Sequence, residues 1–251
     1  TGRQLWRAEL DPAYPEATFQ SLLRPVWYEG SQKPAVAWSP AIAEAEAKLG
    51  ITLKGIVTGI RHFGPDACKP AAHCAAETKG DFITGYGLAG GEMVGRPGDY
   101  AYSFDMAREA GLALTCHAGE WGGPAMVSET IRDLGVSRVG HGIGAIEDLA
   151  LVEQIAERGI VLEVCPGSNV VLKAVDGWAS HPIEKLRARD VKVTISTDDP
   201  PFFHTTMTAE FDMLAKTFGW GADDFKMAIE TELAAAFCDD DTRARVAKRL
   251  E

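Results

Sequence analysis

From Ala41 onward the chain repeats one phrase: a helix-forming run, often stopped by glycine, then a short β-branched run ending on polar or proline residues. The strand-like runs are 53–60, 81–88, 112–116, 138–139, 160–165 and 191–195. They end respectively at Arg61-His62, Ala89-Gly90-Gly91, His117, His141, Pro166 and the segment STDDP (196–200). Helices are predicted over 41–49, 99–110, 125–134, 146–158, 182–189, 206–218, 224–237 and 242–250. Gly50, Gly111, Gly135 and Gly159 suit the left-handed turn that stops four of them. Strand-helix alternation implies a parallel sheet with helices outside. Short, strongly apolar strands are expected when both sheet faces are covered.

A doubly wound sheet and a barrel both fit this rhythm. The polar residues favour the barrel, because they collect at the C-terminal ends of five or six different strands. A complete barrel needs eight units and six are legible. The expected fold is therefore an α/β, TIM-type (β/α) barrel missing its first one or two β/α units. Residues 1–40 read differently. Trp6, Trp27 and Trp38 are scattered among five prolines with no period of two or 3.6, and only 4–10 suggests a strand. The domain division expected is an unassigned segment, 1–40, and a barrel domain, 41–251.

Charge narrows the function. Lys plus Arg is 25 and Asp plus Glu 36, a formal charge of −11, which makes a poor nucleic-acid binder. No apolar run approaches a membrane span and no signal-peptide layout opens the chain, so no membrane partner is expected. Five cysteines without a CxxC pair fit buried, reduced thiols in a cytoplasmic protein. No GxGxxG or GxxxxGK[ST] follows a strand, so no phosphate-cradling loop is expected.

The chemistry-bearing residues sit at strand ends. Asp198 and Asp199 close the run VKVTISTDDP, where each buried carboxylate loses several kcal/mol, roughly, of effective solvation unless a cation or donors replace water. Capping of the next helix is the plainer alternative. His117-Ala118-Gly119-Glu120 offers a metal-ligating imidazole with a proton carrier nearby, or a histidine bonded to backbone before a turn. His141 lies between Gly140 and Gly142, which allow close approach or mark an ordinary turn. The segment GYGLAGGE (85–92) has backbone N–H groups free to meet a ligand. The segment 165–169 could set Ser168 or Asn169 toward a pocket, although a helix cap is the plainer reading; Cys165 reads as core, and His62 as a residue of the pocket mouth. His73, His181 and His204 read as surface or capping residues.

Taken together, HAGE (117–120), RVGHG (138–142), CPGSNV (165–170) and STDDP (196–200) resemble the adenosine deaminase family of metal-dependent purine deaminases. GLAGGE (87–92) and GIRH (59–62) add to the resemblance, which runs from about Lys48 to the C-terminus. RVGHG resembles adenosine deaminases more than their adenine-specific relatives. The resemblance implies a TIM barrel holding one Zn²⁺, with His117 and Asp198 as ligands. It implies that His141 orients the water attacking C6 of the purine and that Glu120 donates to N1. It also implies that Asp199 bonds N7 and the Gly90 amide N3, so that adenosine or 2′-deoxyadenosine becomes the inosine product.

The chain departs from the family at its start. The HxH pair that supplies two further zinc ligands, and the acidic residue beyond it that binds ribose, are absent. Three accounts are ranked: a fragment of a longer enzyme, an unrelated leader at 1–40, and a shortened paralogue. The functional expectation is a zinc-dependent adenosine deaminase, impaired in this form, with a small purine nucleoside as partner. The rival is a non-catalytic purine-binding or protein-interaction remnant.

Overall fold

The β-branched runs pair edge to edge in the order in which the chain makes them. The computed structural model describes residues 39–250; the strand expected at 4–10, and all but the end of the segment 1–40, lie outside them. The strands are β1 (Gly55–Ile60), β2 (Ile83–Ala89), β3 (Ala113–Ala118), β4 (Arg138–His141), β5 (Val161–Val164) and β6 (Lys192–Ile195). Every pair is parallel, in the order β1-β2-β3-β4-β5-β6. A doubly wound sheet reverses its order at a switch point; this one never does, as in a barrel wall. The expected partial TIM-type barrel is what forms, open between β1 and β6 among the described residues.

Helices alternate with the strands: α1 (Ser39–Leu49), α2 (Gly64–Thr78), α3 (Ala101–Glu109), α4 (Gly123–Leu134), α5 (Leu149–Glu157) and α6 (Pro166–Val171). Then come α7 (Ile183–Arg187), α8 (Pro200–Phe203), α9 (Met207–Phe218), α10 (Ala222–Ala235) and α11 (Asp240–Ala247). The period-two pattern of β3 sends Leu114, Cys116 and Ala118 into the apolar layer with Phe104, Val127 and Ile131. Thr115 and His117 therefore share the opposite, luminal face. There the Thr115 hydroxyl donates to Glu163, whose Oε1 lies 2.8 Å from Arg138 Nε. The Arg138 guanidinium stacks 3.4 Å from the centroid of Phe237.

The open side is partly covered by the C-terminal helices. α10 packs on β6, and Glu232 Oε1 accepts the Ile195 N–H at 2.9 Å. A side chain thereby occupies one edge donor that would otherwise invite a further strand.

Three helices were not legible. α2 opens on Gly64-Pro65 and carries Pro70 inside it, so it reads as a broken loop. Its buried stripe Cys68, Ala72 and Ala75 follows a helical spacing of small residues that sums to little hydrophobicity. α6 and α8 begin at prolines that read as stops, whereas proline is well placed in a first helical turn.

Candidate active site

Strand register assembles the site. His117 pairs with Gly140 and Ala118 with His141, while Val164 pairs with Ile195. The C-terminal ends of β3, β4, β5 and β6 thus rise to one rim. His117 lies across the backbone of β4, and a Cβ at Gly140 would stand 2.1 Å from its Cδ2. Only glycine at 140 leaves room for that imidazole. The rings of His117 and His141 are then 5.0 Å apart.

Two of the converging residues hold left-handed backbone, His141 at φ 60° and Asp198 at φ 58°. Such conformations cost non-glycine residues about 1–3 kcal/mol each and persist where the surroundings over-determine them. Here the turns aim both side chains at the same point. His141 Nε2 lies 3.6 Å from Glu120 Oε2 and 4.0 Å from Asp198 Oδ2, and Ser168 Oγ donates to Asp198 Oδ2 at 2.7 Å. Glu120 sits in the loop after β3, and that loop is tied down by buried Glu92. The Glu92 carboxylate accepts N–H groups from Gly119, from Trp121 at 2.6 Å and from Gly122 at 2.8 Å. Its charge also lies at the N-terminus of α4, where the helix dipole favours it.

The protonation states follow from burial and like charge. Burial, then the neighbouring Asp198, pushes Glu120 up to about 7. Burial, and secondarily His117, pushes His141 down to about 3, so its ring is neutral. Asp199, exposed at the rim, is raised by partial desolvation and then by Asp198, with His117 opposing. Burial and four nearby carboxylates, Asp198 first, hold the Cys165 thiol well above its ordinary value.

The donor set suits a divalent metal. Ligand atoms of His141, Cys165 and Asp198 lie within 4.8 Å of one another, and His117 stands beside them. Nitrogen, sulfur and oxygen donors of this kind match zinc. The crowding of carboxylates, with Asp198 raising the proton affinity of both Glu120 and Asp199, is the second indication, since a cation would relieve it. Of the expected ligands, His117 and Asp198 both flank His141. Cys165, read as core, is buried as expected but turns its sulfur toward the site.

Gly90 continues β2, whose Leu88 pairs with Cys116, and so stands level with the end of β3. It packs on His62, whose Nδ1 accepts the Gly91 N–H at 3.3 Å. His73 and His204 are surface residues, as expected. His181 is not: it is 2 % exposed and bonded into the site, although its Nδ1 does cap α7 through the Ile183 N–H at 3.2 Å. Ser168 and Asn169 are likewise fully buried inside α6 rather than capping it. Ser168 and Asn169 thus take the pocket-facing alternative; Glu92 and His181 are the residues missed. The one signal available was their place directly after strands or before a helix. A cavity of about 870 Å³ opens around Lys79, Arg138, Lys192 and Phe237; it lies by the N-terminal ends of the strands, where β4 starts at Arg138 and β6 at Lys192, away from the rim.

The Adenosine deaminase family profile matches residues 35–251. The chain belongs to this family. An adenine deaminase of Rhizobium johnstonii is 48% identical over 209 residues, covering 83% of this chain and 65% of the relative. This chain thus spans just under two thirds of that relative's length. The crystal structure of an adenine deaminase from Arthrobacter aurescens superposes with a TM-score of 0.79 at 28% identity, over 84% of this chain and 64% of the other. An amidohydrolase from Burkholderia ambifaria with bound Zn gives 0.80 at 28% identity, over 88% and 62%. Deaminases of this family are metal-dependent hydrolases of purine-type substrates. Against the expectation of an adenosine deaminase, the similar curated proteins are named adenine deaminase.

Proposed function

We propose that this chain carries a metal-dependent site for hydrolytic deamination of a 6-aminopurine, with free adenine as the preferred substrate and adenosine or 2′-deoxyadenosine behind it. The names of the relatives support the base over the nucleoside. The observation that carries the chemistry is the convergence of Glu120, His141 and Asp198 within 4.0 Å of one nitrogen, His141 Nε2.

His117 and Asp198 are the residues that would hold Zn²⁺, with Cys165 within reach. The chemistry Zn²⁺ supplies when bound is activation of water at neutral pH, by lowering its pKa toward about 7. This chain's own residues do the rest. Glu120, poised at about 7, holds a proton for the ring nitrogen next to the carbon under attack. His141, neutral, offers an N–H or a lone pair to the attacking oxygen. Asp199 and the Gly90 amide on the rim bond the purine edge and fix its orientation. Five cysteines, all free, support a reducing compartment such as the cytoplasm.

Purified chain supplied with Zn²⁺ is incubated with adenine, adenosine and 2′-deoxyadenosine, and ammonia and the oxopurine are quantified. Hypoxanthine formed faster from adenine than inosine from adenosine supports the reading. Faster inosine formation makes it an adenosine deaminase. Metal and purine bound without turnover leaves the non-catalytic purine-binding reading.

A further inference from the structure

His141 is held from behind by a buried chain of hydrogen bonds that begins at a backbone donor. The Ile183 N–H can only donate, so His181 Nδ1, 3.2 Å away, must be an acceptor. A neutral His181 then carries its proton on Nε2. That nitrogen faces Asn169 Oδ1 at 3.3 Å, so the carboxamide oxygen accepts there. The orientation of the Asn169 amide follows: its two Nδ2 hydrogens face His141 Nδ1 at 3.1 Å and Glu120 Oε1 at 3.1 Å. His141 Nδ1 is therefore an acceptor and the ring proton sits on Nε2, turned toward Glu120 and Asp198. Every donor in the sequence meets an acceptor, and reversing any one member would set two donors or two acceptors face to face. Asn169 and His181 are 0 % and 2 % exposed, so water does not offer an alternative partner.

We infer that His181 and Asn169 are positioning residues that fix His141 as the Nε2–H tautomer, making it a hydrogen-bond donor in the site rather than a metal ligand or a proton acceptor. The same Asn169 amide holds Glu120, so one side chain sets the orientation of both groups. This rests on the deaminase reading for its consequence in turnover, but not for the tautomer itself.

The test uses the full chain labelled with ¹⁵N-histidine, unliganded, as wild type, Asn169→Asp and His181→Phe. Long-range ¹H–¹⁵N spectra distinguish a ring protonated at Nε2 from one protonated at Nδ1. Expected is Nε2–H for His141 in the wild type, and Nδ1–H in the near-isosteric Asn169→Asp, whose carboxylate accepts where the amide donated. His181→Phe frees the amide to turn, and a tautomer mixture is expected. In turnover, both variants should lose kcat by about 10- to 100-fold, the usual effect of removing such a supporting partner, with KM within about threefold. His141 protonated at Nδ1 in the wild type overturns the inference, whatever the variants do. So does an Asn169→Asp protein that keeps the wild-type tautomer and kcat. A wild type that turns over no purine, yet shows the Nε2–H tautomer, removes the deaminase reading and leaves the relay standing.

Discussion

Gly140→Ala isolates the packing that places His117. Gly140 lies within β4 outside the left-handed region, so alanine suits the backbone and the change acts through one methyl group. That methyl would stand 2.1 Å from His117 Cδ2, whereas ordinary contact begins near 3.4 Å, so the imidazole must retreat by about 1.3 Å. Overpacking of this kind costs about 1–3 kcal/mol of stability, a drop of roughly 2–12 °C in Tm for a domain of this size. A displacement near 1 Å in a catalytic group costs about 100-fold in rate. The expected result is a folded protein with weakened metal binding and kcat/KM lowered by about two orders of magnitude. Gly177→Ala, where nothing lies within 4 Å of the new methyl, is the control and should match wild type. Metal content, deaminase rate and thermal unfolding are measured side by side. A Gly140→Ala chain with wild-type metal affinity and rate would refute the placement of His117 over that glycine.

Removing the charge at Asp198 with Asn should abolish metal binding and turnover together; it should also lower the Glu120 pKa below about 7, since Asp198 is the second cause of its elevation, read by carboxylate NMR. The rate should fall as pH rises through about 7, as Glu120 loses its proton, and Glu120→Gln should be inactive with no such limb. In stability the sign is the same: the folded state binds the Glu120 proton more tightly than the unfolded chain does, so stability declines with rising pH between 4.5 and about 7. Urea midpoints across that window for the metal-free chain should show the slope, and Glu120→Gln should reduce it. Glu92→Gln turns an amide hydrogen toward backbone N–H donors and should cost about 1–3 kcal/mol, with faster amide exchange at 119–122; unchanged exchange there would remove Glu92 as the anchor of the Glu120 loop.

How much the sequence disclosed depended on the range of the interaction. The strands and most helices were legible because burial on both faces writes β-branched runs, and helix stops need glycine at positive φ, as at Gly111, Gly135 and Gly159. His117, Glu120, His141, Asp198 and Asp199 could be singled out because they stand at or just beyond strand ends. Register raises those ends to one rim, and the turns at His141 and Asp198 and the Glu92-anchored loop of Glu120 complete the approach. Asn169 was legible only as a lesser alternative to a helix cap, and the buried role of His181 was not legible. Their roles depend on hydrogen bonds between segments 12 and 28 residues apart that no local pattern encodes. Helix α2 was hidden for a different reason: Pro65 and Pro70 are breakers in isolation but tolerated once Cys68, Ala72 and Ala75 pack against the sheet. The choice between adenine and adenosine was drawn from one glycine. Gly140 has a steric reason to be there in its contact with His117, independent of which purine is bound.

The most direct measurement of the central claim is anomalous diffraction at the zinc edge from crystals of this chain grown with Zn²⁺. One peak is expected on the rim of the sheet, bonded to His117 Nε2 or Nδ1 and to an Asp198 oxygen, with His141 beside it but not bonded to it. A peak ligated by His141 and Cys165 in place of His117, or no peak at that rim, would contradict the claim.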